Sequence, residues 1–117
     1  MLFRIDPTAS EPLFAQLARQ VRLGVARGDL AVGERLPSAR DLAASLDLNV
    51  HTVLRAYQEL RDEGLVDLRR GRGAVVTEQA GADFAALRSA VADLAAESRA
   101  LHLSPETTLA LLKEALA

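Results

Sequence analysis

The stretch from Leu65 to Thr77 constrains the fold more than any other part of the chain. Two short runs, Leu65-Val66-Asp67-Leu68 and Ala74-Val75-Val76-Thr77, flank Arg69-Arg70-Gly71-Arg72-Gly73. Apolar, β-branched runs on either side of a glycine-containing turn predict a β-hairpin, here with a basic tip. The sequence on both sides of it reads as helix. Ala and Leu dominate the 117 residues, and both favour helix. The only aromatic residues are Phe3, Phe14, Tyr57 and Phe84, so the interior is expected to be aliphatic.

Three helices precede the hairpin. Phe3 to Ser10 reads as extended, broken by Pro7. The first helix opens at Glu11 or Pro12, carries Leu13, Leu17, Val21 and Val25 on one stripe, and stops at Gly28. Asp29 to Pro37 is a connector. Ser38 followed by Ala-Arg-Asp has the form of an N-terminal cap, and the second helix runs on through Leu42, Ala43 and Leu46. Asp47-Leu48-Asn49 is a short break. The third helix spans Val50 to Glu63, with Val53, Tyr57 and Leu60 facing inward, and Gly64 ends it. This is the order of a winged helix-turn-helix over residues 1–77, with Ala43 small where the second and third helices meet.

Residues 78–81 read as a linker and residues 82–117 as two further helices. Phe84, Leu87, Val91, Leu94 and Leu101 fall on a heptad seam, with Ser98 in one slot. Ser104-Pro105 starts the last helix, which carries Leu109, Leu112 and Leu116. Two helices of this size cannot bury such a seam by themselves. The sequence therefore predicts a mainly α protein with a small β-hairpin, whose C-terminal two-helix hairpin is a homodimerisation domain.

The net charge of −2 argues weakly against a polyanionic partner, but the charge is unevenly spread. The part up to Thr77 is slightly basic and the remainder is acidic. All basic residues but Lys113 are arginine, a bias that a GC-rich coding sequence largely explains. Local patches, not totals, decide phosphate binding. If the third helix enters a major groove, its outward residues are Asn49, Val50, His51, Leu54 and Arg55, with Thr52 at the edge. Asn and Arg can read adenine and guanine edges, and Val50 and Leu54 can touch thymine methyls. Ser38 and Arg40 stand at a helix start suited to a phosphate, with Arg35 nearby. Arg70, Arg72 and Gly73 belong to the hairpin tip.

Two further blocks are specific. Arg35-Leu36-Pro37-Ser38-Ala39-Arg40-Asp41-Leu42-Ala43, and Asn49-Val50-His51-Thr52-Val53-Leu54-Arg55-Ala56-Tyr57-Gln58-Glu59-Leu60 with Glu63-Gly64-Leu65-Val66, resemble the signature of the GntR family of bacterial transcription regulators. The short helical tail is similar to that of its YtrA-like subfamily. The resemblance implies a homodimeric repressor on an inverted-repeat operator in double-stranded DNA, often controlling nearby transporter genes. It also implies DNA contacts at Arg40, Asn49, His51, Thr52 and Gly73. The chain departs from the family at Val50, where Pro or Arg is frequent. It departs again at Gly73-Ala74-Val75-Val76, where the wing commonly has a threonine and an aromatic residue.

Other classes find little support. There is no cysteine, which removes thiol chemistry and cysteine-held metals. No spaced catalytic set, cofactor motif or metal-ligand spacing is visible, so no enzyme and no cofactor are expected. No run is long and apolar enough for a membrane and no signal peptide is visible, so the expected location is the cytoplasm. The sequence leaves room for a small-molecule effector without identifying one. The competing reading is a winged-helix protein-interaction module that docks a partner through its helical tail.

Overall fold

The computed structural model describes residues 2–69 and 73–117. Its elements are α1 (Leu13–Arg27), β1 (Arg35–Leu36), α2 (Ala39–Leu46), α3 (Val50–Asp62), β2 (Val66–Arg69), β3 (Gly73–Val76), α4 (Glu78–Ala100) and α5 (Pro105–Leu116). The chain divides into two compact units, one ending at Ala85 and the other beginning at Ala86.

In the first unit, α1, α2 and α3 pack around an aliphatic core capped by a small sheet. Leu17, Val21 and Val25 face inward from α1, Leu42 and Ala43 from α2, and Val53, Ala56 and Leu60 from α3. Burial of these stripes is what holds three short helices that would be marginal alone. Pro12 is the residue flanking α1, which starts at Leu13 rather than at Glu11 or Pro12. Gly28 ends α1 in a left-handed conformation, as its position predicts. Asp47 takes a similar conformation after α2, so the break between α2 and α3 stays tight.

The sheet has three antiparallel strands in the order β1-β3-β2, where the sequence shows a two-stranded hairpin. β2 and β3 pair from Val66 with Val76 to Arg69 with Gly73. Arg35 and Leu36 then pair with Val75 and Ala74 on the other edge of β3. A two-residue strand carries no periodicity, so the connector concealed it. Gly73 has a φ of 80°, and a Cβ there would collide with the Leu36 carbonyl oxygen and come within 2.8 Å of Pro37 backbone atoms. Only glycine fits where β3 passes this close to the end of β1.

The N-terminal segment is strapped to α1 by two glutamine side chains one turn apart. Buried Gln16 donates from Nε2 to the carbonyls of Asp6 and Glu11, both at 2.9 Å, and its Oε1 accepts the Asp6 N–H at 2.9 Å. Gln20 accepts the Arg4 N–H at 2.9 Å and donates to the Arg4 carbonyl at 2.6 Å. Phe3 at the end of this strap is part of the core.

Residues 78–81 are not a linker: they form the first turn of α4. Thr77 fixes that start. Its hydroxyl donates to the Gly64 carbonyl at 2.7 Å and accepts the Ala80 N–H at 3.1 Å. Ala80 is buried, and Gly81 lies so close to the Val32 side chain that a Cβ would overlap it. Phe84, assigned from the sequence to the dimer seam, packs against the core of this first unit. It lies on the first turns of α4, which belong to this first unit, the head.

In the second unit, α4 and α5 form a helical hairpin. His102 turns the chain with a φ of 57°. Ser104 caps α5 by accepting the Thr107 N–H at 3.2 Å, with Pro105 at the first helical position. The Ser98 and Thr108 hydroxyls hydrogen-bond to each other across the hairpin. No residue of α5 is buried. Leu87, Val91 and Leu94 on α4, Leu101 in the turn after it, and Leu109, Leu112 and Leu116 on α5 are all exposed.

Candidate nucleic-acid interface

The start of α2, the outer face of α3 and the paired strands β2 and β3 border one open cleft. Ser38 and Arg40 line it from α2, and Val50, Leu54 and Tyr57, successive turns of one α3 face, form its floor. Leu68, Arg69 and Gly73 close it from the sheet.

Local chemistry fixes each of these walls. The Ser38 hydroxyl accepts the Asp41 N–H at 3.1 Å, which sets the start of α2 and leaves the hydroxyl proton free to donate. Arg40 follows on the exposed side. The Asn49 side-chain carbonyl accepts the His51 N–H at 2.8 Å and so caps α3. The Tyr57 hydroxyl donates to the Pro37 carbonyl at 2.7 Å and locks α3 to the loop in front of α2. Burial raises the Tyr57 phenol above its ordinary range, so it stays a neutral donor.

The cleft is apolar along its floor, and its rim carries Arg40 and Arg69 beside the single carboxylate of Asp41. Arg35, Arg40 and Arg69 are exposed, and none has an ion-pair partner among the described residues. By contrast, Arg22 on α1 is committed to Glu63 at 2.8 Å, bracing α1 against the end of α3. Free guanidinium groups around a helix-lined cleft suit a polyanion whose phosphates run along the rim.

The residues expected from sequence divide into several groups. Ser38, Arg40 and Gly73 lie on the cleft, His51 is exposed at the first turn of α3, and Thr52 beside it is half-buried. Arg35 is exposed on the edge strand β1. Asn49 is in place, but its side-chain carbonyl already serves as a cap. Arg55 points away from the cleft, with its guanidinium carbon 3.6 Å above the Phe14 ring of α1. Arg70 and Arg72 lie outside the described residues. Arg69, expected as part of the basic hairpin cluster from Arg69 to Arg72, borders the cleft, and so does Leu68, which was not expected there. The alternation on β2 groups Leu68 with buried Val66 and so gave no sign of its place on the cleft. Phe14 as a partner for Arg55 left no trace in the sequence pattern.

Among the described residues, no group of three or more His, Asp or Glu could hold a metal ion, and no helix is long and apolar enough to cross a membrane.

A helix pair with a tight break, a third helix braced behind it, and a β-wing beside the second helix of the pair define a winged helix-turn-helix. Residues 13–76 match the family model described as bacterial regulatory proteins, gntR family. The chain is 38% identical over 79 residues to the HTH-type transcriptional repressor YtrA of Bacillus subtilis, covering 68% of this chain and 61% of that protein. It is 41% identical over 101 residues to the HTH-type transcriptional regulator Rv1152 of Mycobacterium tuberculosis, covering 86% of this chain and 83% of that one. The structure of YtrA from Sulfolobus acidocaldarius, described as a GntR-family transcription factor, superposes with a TM-score of 0.61 at 28% identity, covering 97% of this chain and 96% of that one. The chain belongs to the GntR family of helix-turn-helix transcriptional regulators and is related to its YtrA-type members. The matched stretch spans about three fifths of the Bacillus repressor's length.

Proposed function

We propose that the protein is a sequence-specific DNA-binding regulator, acting in the cytoplasm as a homodimeric repressor on a palindromic operator. The observation that carries this reading is the convergence of the α2 start, the α3 face and the wing strands on one arginine-rimmed cleft. The first turns of α3 enter the major groove, where base edges are read. Ser38 and Arg40 take the phosphate in front of α2, with Arg35 beside them. Arg69 and the wing-tip arginines Arg70 and Arg72 take the flanking backbone.

The second unit supplies the twofold. Leu87, Val91 and Leu94 on α4, Leu101 in the turn, and Leu109, Leu112 and Leu116 on α5 make up an exposed apolar surface. Such a surface is buried economically against its own copy, as half of a four-helix arrangement. The dimer then presents two heads to half-sites roughly one DNA turn apart.

The test is fluorescence anisotropy on the DNA upstream of the protein's own gene and on a scrambled duplex, across a salt series, with the unaltered chain and Arg40→Ala. Preferential binding that weakens steeply with salt and is lost in the variant supports the reading. Equal, weak binding to both duplexes that the variant does not change contradicts it and favours a protein partner instead.

A further inference from the structure

The first two turns of α3 leave few polar groups to read bases. Asn49 spends its side-chain carbonyl on capping the helix, so the paired donor and acceptor that reads adenine is not available from it in this geometry. Arg55 is stacked on Phe14 and does not line the cleft. The side chains on the cleft floor are Val50 and Leu54, four residues apart on one α3 face, and Tyr57, whose hydroxyl is committed to the Pro37 carbonyl, with Leu68 bordering them from the wing. Neither Val50 nor Leu54 has a donor or an acceptor.

From this arrangement, and resting on the operator-binding reading above, we infer that Val50 and Leu54 are specificity residues that read thymine by its C5-methyl group. In the major groove the methyl is the one base-edge feature that an aliphatic side chain can recognise. Packing a methyl into this cleft removes apolar surface from water on both partners. Placing a cytosine amino group or a guanine oxygen there strips it of water and offers no hydrogen bond, so those bases are rejected. His51, exposed on the adjacent face, retains the polar part of the readout. The arginine rim supplies affinity without sequence preference.

The experiment begins by selecting duplexes from a random pool with the full chain. Each thymine of the enriched site is then replaced singly by deoxyuridine, which pairs identically and lacks only the methyl. The expected result is a loss of about fourfold at one or two thymines per half-site, the effect of burying one methyl. Val50→Ser or Leu54→Ala, checked for folding by circular dichroism, removes the sensitivity at its own thymine and leaves the salt dependence unchanged. Enriched sites that tolerate uracil everywhere, or that lack thymine in the read positions, overturn the inference and leave operator binding intact. A pool in which no sequence is enriched overturns the operator-binding reading, and the inference with it. The uracil scan uses the unaltered chain, so a variant that fails to fold does not decide the matter.

Discussion

The Arg55 guanidinium lies 3.6 Å above the centre of the Phe14 ring, so a residue that sequence assigns to base reading is held by α1. A stacked guanidinium keeps its edge N–H groups free and can still meet a phosphate beside the major groove. Arg55→Ala is expected to weaken binding to operator and scrambled duplexes by the same factor. It should also lower the slope of log affinity against log salt by about one. Phe14→Leu, which keeps apolar volume and loses the stack, should fall between the two. A loss confined to the operator would place Arg55 on a base edge instead.

Tyr57 to Pro37 is a second bond of structural consequence. Tyr57→Phe should cost about 1 kcal/mol in urea unfolding, the ordinary net value of one such hydrogen bond. Its pH signature has a definite sign. Burial raises the phenol above its ordinary 10.0, so the unfolded chain loses this proton first. The contribution is complete below about pH 10 and declines as pH rises beyond it. Unfolding at pH 9 and pH 11 should show a larger decline for the native chain than for Tyr57→Phe.

Gly73→Ala meets both a φ of 80° and the backbone of Leu36 and Pro37. We expect a loss of about 2 kcal/mol or more, read as a lower thermal midpoint. Gly33→Ala is the matched control, with a φ of 78° and nothing within 4 Å of the added carbon. It should cost only about 1 kcal/mol, the backbone penalty alone. Equal losses would show that crowding at the wing base contributes nothing.

Leu94→Glu and Leu112→Glu place charges on the exposed helical hairpin without touching the core of the head. Each should convert a dimer into a monomer by sedimentation velocity while the helical circular dichroism persists. Operator affinity should fall about a hundredfold or more, because two linked heads bind far better than one. A dimer that survives both changes places the twofold elsewhere.

Much of this was legible in the chain. The stripes Leu17-Val21-Val25 and Val53-Tyr57-Leu60, the stops at Gly28 and Gly64, and the caps Ser38 and Ser104 all act where their spacing places them. These are local signals that each element carries by itself. What escaped depends on partners distant in sequence. β1 is a strand only because β3 lies beside it. Residues 78–81 resemble a polar linker until Thr77 grips Gly64 and Ala80. Phe84 matches the heptad of α4, yet the head core claims it. In the cleft, residue types were readable but their commitments were not. The Asn49 cap and the Arg55 stack both consume groups that a list of outward positions counts as free.

The glutamine strap bears on the order in which the head assembles. Gln16 and Gln20 stand one turn apart only once α1 is helical, because four residues of extended chain would hold them about 13 Å from each other. Until then neither amide can hold Asp6 or Arg4, and Phe3 has no slot to enter. The strap can therefore close only on an α1 that is already helical, and it ties the entry of Phe3 into the core to that helix.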